Sequence, residues 1–357
     1  MTHVFVSPHP DDIALSCGGL VASLRELGHN VTILTVFSGS SASANGQMTD
    51  YQRAALGFGN KAAWPLTEAF RRDNIASDYP VNPTPAGSPP WMADPERTEM
   101  TQQRANTQAR QFWQRAAWTR SANITNVETD ARPVADSIGG QGSLEPIDFS
   151  AADATAMRRL EEERYAYFAE TSLVMLDLPE AVYRGYEGDE QLLGAVRDDD
   201  EAPYELLRSE ILRLEPQMIY FPLAVGNHVD HQLCRDIALA LLAEQRRWVM
   251  PAPSFVGRIV FYEDFPYAWW NDFAGQSSEG GLGLDLPPGV GIEPEYSDIS
   301  EVIDRKAAGL RVYASQLPRL FESEQGMLDD LFGYHSRMAL AGGVSGYAER
   351  YWATVKP

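Results

Sequence analysis

The chain has 357 residues, with 50 acidic and 29 basic side chains, so its formal net charge is −21 at pH 7. This charge argues against binding to nucleic acid or to an anionic membrane surface, because both need basic patches. No apolar run is long enough to cross a bilayer, and the N-terminus shows no signal-peptide pattern. The two cysteines, Cys17 and Cys234, have no metal-binding or redox spacing. We therefore expect a cytoplasmic protein in a reducing compartment.

The first two predicted elements enclose a turn that carries a histidine and two aspartates. Residues 2–6 are apolar and β-branched, which predicts a buried strand, and apolar residues from 13 to 24 recur at helical spacing. Between them lies Ser-Pro-His-Pro-Asp-Asp, residues 7–12. In an open α/β sheet this turn falls at the carboxyl edge, where ligands bind. Two adjacent carboxylates repel each other unless a positive group compensates, and beside a histidine a metal ion suits that role.

The pattern breaks after a second predicted strand over residues 30–37. We interpret residues 40–150 as a large, partly irregular insertion, with loops over 40–60 and 78–95 and a helix over 98–119. The insertion is rich in tryptophan, and three of these residues could either cover a pocket or form an oligomer interface: Trp91, Trp113 and Trp118. Ser38 and Gly39, at the end of the second strand, are expected to allow a close approach of chain segments rather than to do chemistry.

From residue 154 onward, helices and strands alternate. The pattern predicts strands over 173–178, 218–221 and 256–262, and helices over 204–214, 230–246 and 303–314. A glycine-rich loop over 275–291 and an aromatic C-terminal tail complete the chain. This alternation is typical of an α/β protein with a Rossmann-like, mostly parallel sheet flanked by helices. We predict a single domain over 1–357, with the insertion at 40–150 after the second strand.

A second cluster repeats the arrangement of the first. His228, Asp230 and His231 directly follow the strand predicted over 218–221, and the whole chain contains only six histidines. In a doubly wound sheet, two such strand ends flank one crevice, so the clusters are expected to converge. A His/Asp/His set with an open position is typical of catalytic zinc, and a further aspartate could act as general base. The alternative is that Asp12 and Asp230 are ordinary helix caps.

The two motifs resemble those of a known family. Residues 8–12 (PHPDD) and 228–231 (HVDH) together resemble the LmbE-like superfamily of zinc-dependent de-N-acetylases, the PIG-L family. The resemblance includes residues 16–19, 36–39, 176–184 and 262–267, and it leaves the insertion outside. It implies the LmbE-like fold and one Zn²⁺ per chain, although nitrogen and oxygen ligands also accept other divalent ions. The ligands it implies are His9, Asp12 and His231.

The resemblance also implies catalytic roles. Asp11 would be the general base that takes a proton from the attacking water. His228 would stabilise or protonate the tetrahedral intermediate, with Asp230 as its orienting partner. The products would be acetate and a free amine. The chain departs from the family pattern at Ile13, where many members have Glu, and at Glu180, where related sequences often carry Asp.

Several other residues are candidates for contacting the substrate. Arg184 could clamp an acidic group or pair with Glu180 or Glu187. A polar and aromatic cluster after the strand over 256–262 would suit sugar hydroxyls and a stacked ring, or its aromatic members simply belong to the core. The substrate candidates are therefore Glu180, Arg184, Glu263, Asp264 and Tyr267. His335 is expected to be structural.

We therefore expect a zinc-dependent hydrolase that removes the N-acetyl group from a small amino-sugar or natural-product substrate. A homo-oligomer is compatible with the sequence. One alternative is metal-dependent hydrolysis of another bond, such as a phosphoester, but phosphate sites usually add Lys, Arg or a glycine-rich nest. Another is a non-catalytic metal- or ligand-binding pseudoenzyme of the same fold, although it would not need Asp11 and His228. A dinucleotide site is excluded because no GxGxxG follows the first strand.

Overall fold

The computed structural model describes residues 1–40, 48–56, 151–246, 257–273, 282 and 284–355. These residues belong to one compact unit. The helix predicted over 98–119, the residues Trp91, Trp113 and Trp118, and most of the glycine-rich loop lie outside them.

The strands of the described residues form one seven-stranded sheet in the order β3-β2-β1-β4-β5-β7-β6. The first five strands in this order are parallel, whereas β7 is antiparallel to both of its neighbours. The predicted mostly parallel α/β sheet is confirmed. The strands are β1 (Thr2–Ser7), β2 (Asn30–Thr35), β3 (Ser172–Met175), β4 (Met218–Pro222), β5 (Arg258–Tyr262), β6 (Gly291–Asp298) and β7 (Ala348–Val355).

Helices flank this sheet, and several follow directly after a strand. In the part of the chain that the structure describes, no helix is long and apolar enough to cross a membrane. The helices are α1 (Asp12–Glu26), α2 (Asp50–Ala55), α3 (Ala151–Phe168), α4 (Asp189–Leu192), α5 (Tyr204–Leu214), α6 (Val229–Arg246), α7 (Tyr267–Trp270), α8 (Ile303–Leu310), α9 (Leu317–Leu320) and α10 (Glu324–Gly342), and a 3₁₀ turn covers Ala181–Tyr183.

The strand order explains where the two His/Asp turns lie. β1 is central, with β2 and β3 on one side and β4 and β5 on the other, so the winding direction of the sheet reverses at β1. Val4, Phe5 and Val6 are fully buried, as expected of a strand covered on both faces. Because β1 and β4 are adjacent and parallel, the turns at their carboxyl ends lie side by side.

A glycine brings a further segment to this edge. Gly39 forms an isolated bridge with Pro179, and its backbone N–H donates to the Leu178 carbonyl. A Cβ at Gly39 would lie 2.2 Å from the Asp177 carbonyl oxygen, so no larger residue fits there. The expected close approach is therefore present, and it positions the segment that carries Glu180.

Two parts of the fold differ from the sequence-based expectation. The predicted loop over 40–60 contains α2, whose N-cap Thr49 and Gln52 form a reciprocal capping box. The aromatic C-terminal tail forms α10 and β7. β7 pairs with β6, whose paired residues lie 50 to 64 positions earlier, and local periodicity does not reveal such a distant pairing.

Candidate metal centre and substrate cleft

The turn between β1 and α1 holds two carboxylates without using them as helix caps. Asp11 is the N-cap residue, but its side chain makes no capping hydrogen bond, and its φ is +107°. The Asp12 Oδ2 atom accepts the backbone N–H of His9 at 2.7 Å and lies 3.3 Å from His9 Nδ1. The carboxylate of Asp12 is therefore fixed beside the ring of His9.

The turn between β4 and α6 brings in the second cluster. Gly226 has a φ of +94°, and a Cβ there would lie 2.7 Å from the Tyr267 ring, so this tight turn requires glycine. His231 Nε2 lies 3.4 Å from Asp12 Oδ2, and His9 Nε2 lies 2.8 Å from Asp230 Oδ2. Each turn thus supplies an aspartate that contacts a histidine of the other turn.

Donor atoms from both turns converge on one point. His9 Nδ1 and His231 Nε2 lie 3.3 and 3.4 Å from the same oxygen of Asp12. Two ligand atoms of a tetrahedral zinc site, with bonds of about 2.0–2.1 Å, are separated by ~3.3 Å. The three histidines of the site also each offer a ring nitrogen within 4.8 Å of the others: His9, His228 and His231.

Hydrogen bonds determine which ring nitrogens have a free lone pair. His9 Nε2 and His231 Nδ1 each face a carboxylate oxygen, of Asp230 and Asp264, at 2.8 and 2.6 Å. A carboxylate holds the proton on the nitrogen that it faces, so the opposite nitrogen, Nδ1 of His9 and Nε2 of His231, is left to bind a metal.

His228 has the reverse arrangement. Its Nδ1 accepts the backbone N–H of Asp230 at 3.2 Å, so the neutral ring carries its proton on Nε2. The Asp230 carboxylate is expected to orient His228. In the structure this carboxylate faces His9 instead. The carboxylate also accepts from the Ala181 N–H and from Arg184. The backbone of Asp230, rather than its side chain, therefore sets the tautomer of His228.

The electrostatics of the buried site follow from these pairs. Burial lowers the pKa of His9, but Asp12 and Asp230 outweigh it and raise the pKa to about 10. Burial opposes ionisation of Asp12, yet His231 and His9 lower its pKa to about 2. Burial, with His9 as a positive neighbour, lowers the pKa of His228 well below its usual value, so its ring is neutral at neutral pH.

Asp11 has the opposite character from Asp12. Burial raises its pKa well above the usual value, Asp12 adds to the effect, and Arg158 opposes it. Two neighbouring carboxylates whose environments separate their pKa values are suited to different roles. Asp12 is fitted to stay ionised, and Asp11 to exchange a proton.

A cleft opens over this centre and encloses about 590 Å³, including space open to bulk solvent. Its walls come from α2, α3, the 3₁₀ turn, α7 and α9. Besides the histidines and aspartates of the two turns, its polar and aromatic lining residues are Arg158, Glu180, Phe265, Tyr267, Gln316 and Arg319. Since α2 lies within residues 40–150, part of the predicted insertion contributes to the cleft wall.

The structure separates the five substrate candidates. Glu180 and Tyr267 line the cleft. Asp264 instead bonds to His231 and to the Val225 N–H, so it orients a histidine rather than facing the cleft.

The other two candidates belong to buried networks away from the cleft lining. Glu263 accepts hydrogen bonds from Tyr334, Arg350 and Trp352. Arg184 pairs with Asp200 and Asp230, and neither the substrate clamp nor the alternative pairing with Glu180 or Glu187 describes these contacts. Glu263 follows β5 and Arg184 follows the 3₁₀ turn, but both side chains bond to the surrounding protein.

Sequence reasoning missed the contribution of α3. Arg158 pairs with Glu180 in the cleft wall, and Glu162 accepts the Asp11 N–H. Arg158, Glu161 and Glu162 are buried, although a helix so rich in charge resembles a solvated face in sequence. The signal that could have found them is the excess of charged residues on a helix that directly precedes a strand of the sheet.

Comparison with known proteins finds a family match at the N-terminal part of the chain. Residues 4–69 match the family model described as PIG-L: GlcNAc-PI de-N-acetylase. This stretch includes most of β1, the first His/Asp turn and α1. The predicted resemblance to the PIG-L superfamily is confirmed.

A characterised relative extends the PIG-L likeness along the chain. The 2'-N-acetylparomamine deacetylase of Streptomyces fradiae is 25% identical over 316 residues, which cover 88% of this chain and 72% of that protein. The aligned region is long enough to include both His/Asp turns.

Solved structures show the fold. A deacetylase from the biosynthesis pathway of teicoplanin superposes with a TM-score of 0.56 at 20% identity, covering 100% of this chain and 99% of that one. A40926 pseudoaglycone deacetylase superposes with a TM-score of 0.54 at 20% identity, covering 99% and 97% of the two chains. The sheet and its flanking helices are therefore arranged as in these two structures.

Proposed function

We propose that this protein is a zinc-dependent hydrolase that removes the N-acetyl group from a small amino-sugar or natural-product substrate. The observation that carries the proposal is the convergence of His9 Nδ1, His231 Nε2 and Asp12 Oδ2 beside two further protic groups, Asp11 and His228. All five residues line one cleft. The matching relative is named for the deacetylation of an acetylated amino sugar.

The donor set fits a divalent metal. The separations of 3.3 and 3.4 Å match the edge of a tetrahedral site with two nitrogens and one oxygen, which leaves one position open. The ring nitrogens that face away from this point are held by Asp230 and Asp264, as metal-binding histidines require. His228 is the less suitable ligand, because its remaining nitrogen carries the proton.

When bound, zinc would polarise the acetamide carbonyl and lower the pKa of water and of acids beside it. Asp11 then serves as the base, since its carboxylate lines the cleft next to Asp12 without a capping role. It accepts a proton from the attacking water and can return that proton to the leaving amine.

His228 supplies a neutral hydrogen-bond donor. Because its Nδ1 accepts the Asp230 N–H, its Nε2–H is available to the oxyanion that forms as water adds to the carbonyl. The low pKa of His228 keeps the ring in this form across the neutral pH range. Asp230 acts on both turns, through its carboxylate on His9 and through its backbone on His228.

The cleft suits a polar, ring-bearing substrate. Arg158 is paired with Glu180, while Gln316, Arg319 and Tyr267 add hydrogen-bonding groups and an aromatic ring to the wall. Such a lining fits a glycoside, with hydroxyl groups to bond and a sugar face to stack.

The test is acetate release by protein loaded with one equivalent of zinc. The panel contains N-acetylglucosamine, 2'-N-acetylparomamine and an N-acetylglucosaminyl glycopeptide. The control variant is Asp11→Asn, which keeps the shape of the side chain but cannot accept the proton. We expect acetate and amine in equal amounts, with the rate lowered about 10²–10⁴-fold in the variant.

Because one teicoplanin deacetylase structure is described as its zinc-inhibited form, the assay also varies the zinc equivalents and includes Co²⁺, Mn²⁺ and Fe²⁺. Metal binding without acetate release from any substrate favours the pseudoenzyme. Release of phenol from an aryl phosphate, without acetate, favours hydrolysis of another bond.

A further inference from the structure

The backbone of Asp11 adopts an uncommon conformation. Its φ is +107° and its ψ is −32°. The other non-glycine residues with positive φ in the described ranges have values of 46° to 63°, within the ordinary left-handed region. A side-chain-bearing residue keeps such a conformation only when its surroundings hold it there.

One buried carboxylate contacts this backbone. Glu162, on α3, is 1% exposed, and its Oε2 atom accepts the N–H of Asp11 at 3.3 Å. The carbonyl of Asp11 begins the hydrogen-bond ladder of α1, where it accepts the Leu15 N–H. The N–H of Asp11 lies outside that ladder, so it depends on an acceptor from another element.

Glu162 is itself fixed by two other parts of the chain. Its Oε1 atom accepts the Thr35 hydroxyl at 2.7 Å, and its Oε2 atom accepts the Tyr313 hydroxyl at 2.5 Å. Thr35 ends β2, and Tyr313 follows α8, so the carboxylate is tied to two parts of the chain besides its own helix. A carboxylate held on both oxygens offers Asp11 an acceptor in a defined place.

We propose that Glu162 is a positioning residue that holds the backbone of Asp11, and thereby aims the Asp11 carboxylate into the cleft. Glu162 does not itself line the cleft. This inference rests on the proposed role of Asp11 as the base of the deacetylation. The effect of Glu162 is geometric. The Asp11 N–H needs a hydrogen-bond acceptor at the right distance, and it does not need the negative charge of Glu162.

Two conservative variants separate geometry from charge. Glu162→Gln keeps the length and one acceptor oxygen but removes the charge. Glu162→Asp keeps the charge but shortens the side chain by one methylene, which breaks a hydrogen bond that is already long. We expect Glu162→Gln to keep kcat within about threefold of the wild type, and Glu162→Asp to lose roughly 10- to 100-fold, since a misplacement of about 1 Å has that effect.

The loss in Glu162→Asp should lie in kcat, with KM and bound metal unchanged, because neither substrate binding nor a metal ligand is altered. The matched control is Glu161→Asp. Glu161 is the adjacent buried carboxylate of α3, but it accepts from the N–H and hydroxyl of Ser315 and makes no hydrogen bond with Asp11. Its variant should keep kcat within about twofold of the wild type, because a change that leaves the reacting groups in place leaves the chemical step intact.

Crystal structures of the variants supply a readout that is independent of activity. Asp11 should leave the positive φ region in Glu162→Asp and stay there in Glu162→Gln. Equal loss of kcat in both Glu162 variants, or equal loss in Glu161→Asp, would overturn the proposal. So would an unchanged Asp11 conformation in Glu162→Asp. If the wild type releases no acetate, the proposed function fails, while the conformation of Asp11 still decides whether Glu162 holds it.

Discussion

The two His/Asp turns occupy equivalent places in the fold but contribute opposite chemistry. The turn after β1 presents two carboxylates, Asp11 and Asp12, to the cleft together with His9. The turn after β4 presents His228 and His231, and its Asp230 carboxylate is fully buried against His9 and Arg184. The first turn is therefore the acidic half of the site, and the second is the imidazole half.

The difference shows why neither turn is a site alone. Asp12 needs His231 and His9 to remain ionised in a buried position, and His9 needs Asp230 to direct its lone pair toward Asp12. Removing a partner from such a reciprocal set leaves a buried charge uncompensated. The predictions below test the halves separately, beginning with the largest expected effect.

Substitution of one residue in each half should distinguish a metal ligand from a hydrogen-bond donor. Asp12→Ala removes the oxygen shared by both ligand histidines, so we expect loss of bound zinc and of all acetate release. His228→Gln should keep about one zinc per chain and lose roughly 10²–10³-fold in kcat, because it removes only a donor to the oxyanion. Metal analysis beside the acetate assay measures both. Zinc loss in His228→Gln would make the histidine trio the ligand set instead.

The carboxylates behind the ligand histidines should have intermediate effects. Asp230→Asn and Asp264→Asn each leave a ligand in place but weaken the group that orients it. We expect zinc affinity to fall by about 10- to 100-fold in each variant. Competition with a chromogenic chelator measures this affinity. Unchanged affinity in both variants would mean that the turns do not support each other through these contacts.

Zinc binding should release protons and strengthen as the pH rises. With a pKa raised to about 10, metal-free His9 keeps its second proton throughout the neutral range, and the metal must displace it. The pKa of His231 is raised as well, by Asp12 and Asp264 against the effect of burial. Raising the pH from 6 to 8 should therefore increase affinity about tenfold per pH unit for each proton displaced. Calorimetry in buffers of different ionisation enthalpy counts the protons, and a count of zero would contradict these charge states.

The smallest effect on activity is expected at Glu263. Its carboxylate serves Tyr334, Arg350 and Trp352 in the protein interior, so Glu263→Gln should leave kcat and KM unchanged. The free energy of unfolding should fall by about 1–3 kcal/mol, because the amide leaves one of the buried donors without an acceptor. Thermal denaturation beside the acetate assay checks this. A change in substrate preference would restore Glu263 as a substrate contact.

The sequence predicted the parallel half of the fold and the meeting of the two turns because both depend on local patterns. Buried strands, helical periodicity and a polar residue at a strand end are all visible within a few residues, as for β1, β4 and the HVDH motif. The pairing of β6 with β7 and the burial of charged residues on α3 are not visible in such local patterns. Both depend on contacts between distant segments, and so do the orientations of Arg184 and Glu263.

The most direct test of the account is a crystal structure of the zinc-loaded protein with data collected at the zinc absorption edge. We predict one anomalous peak bonded to His9 Nδ1, Asp12 Oδ2 and His231 Nε2, with His228 beyond bonding distance and Asp11 facing the open position. A peak bonded to His228 in place of Asp12, or no peak at this point, would contradict the proposed metal centre.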